Sequence, residues 1–255
     1  MTTTGAKPQG ATDEASAARA VREMFDAIAP RYDLLNHVLS MNVDRLWWRQ
    51  AARRFRAVLA DTDAAVLDIC CGTGDMTMAL LKQRPRGARP VMAVDFAREM
   101  LSRGAKKFGG PGVGARAAGE PYAVPLEADA LHLPLQSGSL DLIVSAFGFR
   151  NLANYEAGLR EFHRVLKPGG QLGILEFSEP GGLVGKAYAV YFRRVLPAIG
   201  RAICGKEGAY SYLPVSVGNF PAPKEMLGLM TAAGYVECAW QPYTFGIAGL
   251  YTARR

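Results

Sequence analysis

A chain of 255 residues is long enough for one large α/β domain with a buried core, and no Pro/Ser-rich linker or charge run divides it. Hydrophobic residues make up 49% and charged residues 21%, which excludes a disordered chain and leaves a folded globular protein. The formal net charge of +7 predicts attraction to acidic surfaces without choosing between anionic lipid and nucleic acid.

Residues 1–15 are small and polar, lack the apolar segment of a signal peptide and read as a disordered tail; residues 16–255 read as a single domain. Within it, 16–60 form an N-terminal helical cap, 61–180 a nucleotide-binding core, and 181–255 acceptor-side helices and the final strands. Residues 14–28 read as a helix with Val21, Met24, Phe25 and Ile28 on one face and Pro30 as its stop. A loop carrying Tyr32, Asp33 and Asn36 follows, and Asp44 is placed to cap a helix running through Trp47 and Trp48 to Phe55. The apolar run 65–69, a glycine turn and a helix over 76–82 form a strand-turn-helix unit, repeated by a strand over 90–95 and a helix over 97–107. Further strands are predicted over 122–127, 140–146 and 171–177, with a helix over 155–166 broken by the turn Lys167-Pro168-Gly169-Gly170. A basic amphipathic stretch over 183–203, a helix over 224–233 and two strands close the chain. The alternation predicts a doubly wound, mostly parallel seven-stranded α/β sheet of Rossmann-like type, preceded by N-terminal helices. No run reaches the roughly 20 apolar residues that span a bilayer.

The sharpest motif is Asp68-Ile69-Cys70-Cys71-Gly72-Thr73-Gly74-Asp75. Gly72 and Gly74 allow a tight turn and a close ligand approach after a strand, with a helix N-terminus beyond. A dinucleotide is disfavoured: Thr77 occupies the third glycine position, and the charge of Asp75 is poor company for a pyrophosphate. A cofactor without phosphates, carrying a sulfonium and an ammonium, suits the loop better. Asp68, Asp95 and Asp129 stand at three successive strand ends, with Asp95 placed for ribose hydroxyls and Asp129-Ala130 for the adenine edge. The other reading of these residues is turn glycines and loop or cap acids. None of Cys70, Cys71, Cys204 and Cys238 has a zinc-ligand spacing, and no metal is expected; reduced thiols point to a cytoplasmic protein.

The pattern resembles a class I S-adenosylmethionine methyltransferase. More narrowly, the run from Phe25-Asp26-Ala27-Ile28 through Pro30-Arg31-Tyr32-Asp33 to Asn36 is similar to the menaquinone and ubiquinone biosynthesis C-methyltransferases. Asp44-Arg45-Leu46-Trp47, Phe147-Gly148-Phe149-Arg150-Asn151-Leu152 and Arg164-Val165-Leu166-Lys167-Pro168-Gly169-Gly170 running into Leu175-Glu176-Phe177-Ser178 match the same family. The resemblance implies S-adenosylmethionine as cofactor, contacted by Thr73, Asp95, Asp129 and Ala130, and a polyprenylated quinol as acceptor, demethylmenaquinol or its benzoquinol counterpart. Two positions depart from the pattern: Cys70-Cys71 replaces small residues in the glycine loop, and Ala146 stands where some relatives set a serine against the cofactor.

Carbon methylation of a quinol needs an electron-rich ring, which loss of a ring-hydroxyl proton supplies. Arg150 and Asn151 follow the fourth strand on the sheet edge that carries the glycine loop, so Arg150 is expected to stabilise a phenolate; the alternative is an arginine tying down its loop through a carboxylate. Tyr32 and Asp33, with Asn36, are placed to close over the acceptor; the other reading is a helix-ending turn packed on the sheet. His37, His132 and His163 are the alternative bases. Trp47 and Trp48 among arginines, and the segment 186–201, suit either a head-group interface or packed helices. The expected partners are the quinol and an anionic membrane surface at the inner face, with no nucleic acid; a homodimer is compatible with the sequence.

Overall fold

The computed structural model describes residues 5, 6, 8, 10–31, 42–108, 119–178, 180 and 209–255. The loop 32–40, the basic stretch 183–203 and Cys204 therefore lie outside the described residues.

Helix α1 (Glu14–Ile28) begins where a reciprocal cap satisfies its first donors: Ser16 N–H donates to Asp13 Oδ1 at 2.7 Å, and Asp13 N–H donates to Ser16 Oγ at 3.1 Å. The tail expected over residues 1–15 is corrected at two points. Ala6 is buried and its N–H donates to Leu152 O at 2.8 Å, and Glu14 already belongs to α1 and accepts from Asn154 Nδ2 at 3.0 Å. Asp44 is likewise not the cap of α2 (Asp44–Arg54) but its first residue, buried, with Oδ1 accepting from Arg45 N–H at 2.8 Å. A short helix, α3 (Arg56–Leu59), follows directly.

Seven strands form one sheet: β1 (Val66–Ile69), β2 (Val91–Asp95), β3 (Ala123–Glu127), β4 (Leu140–Ala146), β5 (Leu166–Phe177), β6 (Val236–Tyr243) and β7 (Ala248–Arg254), in the order β3-β2-β1-β4-β5-β7-β6. The first five are parallel and β7 runs antiparallel to β5 and β6. The intervening helices are α4 (Asp75–Leu81), α5 (Arg98–Phe108), α6 (Tyr155–Val165), α7 (Ala209–Gly218) and α8 (Pro223–Ala232). Strand β1 is buried at every residue because helices cover both faces, which is why it reads as an unbroken apolar run. Val66 and Val144 face a cluster with Trp47, Phe55 and Leu80, whereas Leu67 and Ile143 face Tyr155, Phe162 and Met230. Pro125, which lacks a ladder donor, is tolerated because β3 is an edge strand.

Two expectations need revision. Lys167-Pro168-Gly169-Gly170 is not a turn clear of the sheet: β5 starts at Leu166, and Gly169, at φ +78°, donates to Arg255 O at 2.9 Å within an irregularity opposite Leu140 and Leu142. Helix α7 was not foreseen, since Pro214 lies inside it.

The order reverses at β1, with β2 on one side and β4 on the other, so the loops after β1 and β4 diverge and leave a crevice at their carboxyl ends.

Candidate active site

The loop after β1 is shaped by left-handed backbone at Cys70 (φ +56°), Gly72 (φ +54°) and Gly74 (φ +83°). Cys71 N–H donates to Val94 O at 3.0 Å and Gly72 N–H donates to Asp95 Oδ2 at 2.7 Å, so β2 holds the loop from beneath. The loop after β4 repeats the device with Phe147 at φ +58°, whose N–H donates to Leu175 O at 2.8 Å. Non-glycine residues in this region store strain that the surrounding packing must hold. Gly148 lets the two loops meet, since a Cβ there would lie 2.4 Å from Cys70 Cβ.

Between these loops lies a cavity of about 540 Å³, within the range of small-molecule and cofactor sites. Gly72, Thr73, Asp95, Asp129, Ala130, Ala146 and Asn151 line it. Asp95 is buried; its Oδ1 accepts from Ala97 N–H at 2.8 Å, and burial raises its carboxyl to about 6 against those backbone bonds. Asp129 accepts from Leu131 N–H at 2.9 Å and sits 3.3 Å from His132 Nδ1. Asn151 is buried and its Oδ1 has no partner within the protein.

Three predicted site residues do not line the cavity. Asp68 lies beneath the glycine loop, fully buried, with Oδ2 accepting from Thr77 Oγ1 at 2.5 Å; burial pushes its carboxyl up to about 7. Gly74 serves packing, because a Cβ on it would come within 2.5 Å of the Phe108 ring. Arg150 corrects the expectation most sharply. Its Nη1 donates to Glu176 Oε2 at 3.0 Å and to Phe147 O, its backbone N–H donates to Glu176 Oε1 at 3.0 Å, and Glu176 is completely buried. Phe177 N–H also donates to Glu176, at 3.2 Å, and Tyr155 OH donates to Arg150 O at 2.9 Å. The guanidinium thus ties down the loop 147–151, as the alternative reading had it, and stands behind the cavity wall.

Tyr32, Asp33, Asn36 and His37 lie outside the described residues. His132 is exposed, and His163 packs edge-on to Tyr235 with its imidazole pKa lowered by burial; neither lines the cavity. Burial pushes the Cys70 and Cys71 thiols well up, so both stay protonated. Among the described residues no group of three or more His, Cys, Asp or Glu is arranged to hold a metal ion. Trp47 and Trp48 are core residues: Trp47 Nε1 donates to Thr244 Oγ1 at 2.7 Å and its ring lies 5.8 Å from Phe147, while Trp48 lines the cavity.

Several lining residues carry no cavity role in the sequence motifs, Phe25 being marked there only as part of an apolar helix face and of the entry motif. Arg19, Arg22 and Phe25 come from α1, Phe96 and Met100 follow Asp95, and Glu127 ends β3, where it accepts from Arg22 Nη2 at 2.5 Å. Phe96 and Glu127 carried a usable signal, being at or next to strand ends, whereas nothing local marks the cavity face of α1.

The glycine loop, the buried acid at the end of β2 and the apolar walls beside it fit a nucleoside cofactor without phosphates. The order of strands with β7 antiparallel, together with this site, defines a class I S-adenosylmethionine-dependent methyltransferase. Solved structures share the fold: a SAM-dependent methyltransferase from Thermotoga maritima has a TM-score of 0.60 at 16% identity over 91% of this chain and 98% of its own. The [4+2]-cyclase SpnF reaches 0.63 at 16% identity over 100% and 99%, so the fold alone does not decide the reaction.

The profile of the ubiE/COQ5 methyltransferase family matches residues 12–255, and the chain belongs to that family. It is 43% identical to the demethylmenaquinone methyltransferase of Deinococcus radiodurans, over 98% of each chain. It is 45% identical to that of Thermus thermophilus, over 91% of this chain and all of the relative. The ubiquinone/menaquinone biosynthesis C-methyltransferase UbiE of Geobacter sulfurreducens is 41% identical over 92% of this chain and 88% of its own.

Proposed function

We propose that the protein methylates a ring carbon of a polyprenylated quinol, with demethylmenaquinol as the preferred acceptor. The observation that carries this reading is the near-complete alignment, above 40% identity, with two relatives named demethylmenaquinone methyltransferase. The bound cofactor supplies an electrophilic methyl group. Asp95 would accept from the ribose hydroxyls, Asp129 and Ala130 would meet the adenine, and Gly72, Thr73 and Ala146, which line the same cavity, would hold the remainder.

On the acceptor side, Asn151 lines the cavity, and Arg150 and Glu176 hold the loop that carries it. With its charge matched by Glu176, Arg150 acts by positioning. Tyr32, Asp33 and His37, all outside the described residues, are the remaining candidates for receiving the proton of the ring hydroxyl. A polyprenyl acceptor resides in a bilayer, so peripheral contact with an anionic membrane belongs to this reading; among the described residues no helix is long and apolar enough to cross one.

The test is turnover of purified protein with methyl-labelled cofactor and, in parallel, short-chain demethylmenaquinol and 2-methoxy-6-polyprenyl-benzoquinol, both kept reduced. Label in the naphthoquinol ring is the expected result. Label only in the benzoquinol would move the assignment to the ubiquinone branch, and label in neither would remove the quinol reading.

A further inference from the structure

Helix α1 closes one side of the cavity at the ends of β2 and β3, and it is attached differently from the walls beneath it. Ala18, Arg19, Arg22 and Phe25, at helical spacing, line the cavity. Of its 15 residues Ala17 and Val21 are buried, whereas β1 is buried throughout. Three polar links along its length tie it to the rest of the domain. Glu14 Oε1 accepts from Asn154 Nδ2 at 3.0 Å, Arg22 Nη2 donates to Glu127 Oε1 at 2.5 Å, and Asp26 Oδ1 accepts from Glu99 N–H at 3.1 Å. Phe25 and Phe96 pack on the small cluster of Ala29, Ala97 and Met100. The Asp95 carboxyl is pushed up by burial and, among lesser causes, by the charge of Asp26, so α1 reaches the acid at the end of β2.

Arg22 and Glu127 are 45% and 39% exposed, and an ion pair this open to water holds weakly. An element with little buried apolar area and solvent-exposed links is the part of a fold that opens first. The floor of the cavity, buried along β1 and interlocked where Gly148 meets Cys70, has no such freedom. The two acids assigned to adenosine stand next to the contacts of α1: Phe96 follows Asp95, and Glu127 lies two residues before Asp129. A ligand held between those acids is covered by α1 on that side. We propose that α1 is a strap over the cofactor, lifting to admit S-adenosylmethionine and to release S-adenosylhomocysteine, with the Arg22–Glu127 pair as its clasp. Motions of this kind set turnover in many enzymes by controlling product release. The inference goes beyond the acceptor assignment: it rests on the placement of the cofactor in this cavity and not on the identity of the methylated ring.

The test is stopped-flow fluorescence of the full chain with S-adenosylhomocysteine, read through Trp48, which lines the cavity. A residue that merely touches the ligand changes release alone, whereas a clasp changes entry and release together. R22A and E127A should therefore each raise both rates about two- to fivefold, the range open to an exposed ion pair, and leave Kd nearly unchanged. The reversed pair R22E/E127R should bring both rates back toward wild type. A covalent clasp gives the larger signal. In a C204S/C238S background, with the Cys70 and Cys71 thiols kept protonated by burial, R22C/E127C is joined by a short bismaleimide after S-adenosylhomocysteine has bound. Release should then slow at least about tenfold relative to the same protein before joining. Entry rates unchanged in R22A and E127A, no recovery in R22E/E127R although its thermal melt matches wild type, or equally fast release before and after joining would overturn the proposal. No binding of S-adenosylhomocysteine by wild type would defeat the cofactor placement and the strap with it.

Discussion

Asp95 and the Arg150–Glu176 pair carry opposite burdens. Asp95 keeps lone pairs for a ligand although both carboxylate oxygens already accept backbone N–H bonds. In the proposed site its ionised form takes two ribose hydroxyls, so Asp95→Ala should weaken cofactor binding by roughly 1.5–3 kcal/mol, the range for bonds to a charged group. With the carboxyl raised to about 6, wild-type affinity should climb as pH rises through that value and level off above it. Calorimetry between pH 5 and 8 checks both statements, and a flat profile would contradict the ribose contact. The ion pair, by contrast, is buried on both sides. Removing one partner strands a charge, so Arg150→Ala or Glu176→Ala should each cost about 3–5 kcal/mol of stability, while replacing both with Met should cost less than either. Denaturant unfolding of the three variants decides it; independent, additive losses would show that the pair does not act as a unit.

At the scale of elements, the site depends on two loops that interlock where a side chain is missing. A methyl group on Gly148 would overlap Cys70 Cβ and approach Cys70 O to 3.0 Å, and neither backbone can yield without disturbing its strained turn. Gly148→Ala should therefore reduce cofactor affinity at least tenfold, about 1.4 kcal/mol, while the sheet itself survives. Calorimetry together with a thermal melt separates this from global unfolding. The strand-turn-helix units were legible because β1, β2 and β4 combine apolar runs with glycine or polar residues at their ends. The irregular start of β5 was not, because Gly169 takes its partner from Arg255, 86 residues on in the chain. Helix α7 stayed hidden for the related reason that Pro214 vetoes a helix locally and only tertiary packing overrides it.

For the molecule as a whole, Asp68 and Asp95 make stability depend on pH. Both carboxyls titrate above the ordinary 3.8, at about 7 and about 6, so the folded chain retains protons there that the unfolded chain has released. Unfolding free energy should accordingly fall as pH rises from about 4 to about 7, by about 1.4 kcal/mol per pH unit for each carboxyl protonated only when folded. Asp68→Asn should remove the falling contribution between pH 6 and 7, exposing the opposite, rising contribution of His163, and leave the Asp95 portion below it. Chemical denaturation across that range is the measurement, and an unchanged slope would show that Asp68 is already ionised in the fold.

By itself the sequence determined the doubly wound sheet, the position of the glycine loop and the acid after β2, because these follow from residue type and spacing within a few positions of one another. Its family motifs likewise point to quinol carbon methylation. Which of the marked residues face the cavity was decided only in three dimensions. Asp68 turns under the loop to Thr77, Gly74 yields space to Phe108, and Arg150 is claimed by Glu176, 26 residues away, so that a cation expected to meet substrate instead braces the wall. The same holds for Trp47 and Trp48, which the tertiary packing of α2 turns inward while leaving its arginines outside. Spacing along a chain specifies which groups share an element; which of them meet a ligand depends on partners that folding brings from far along the chain.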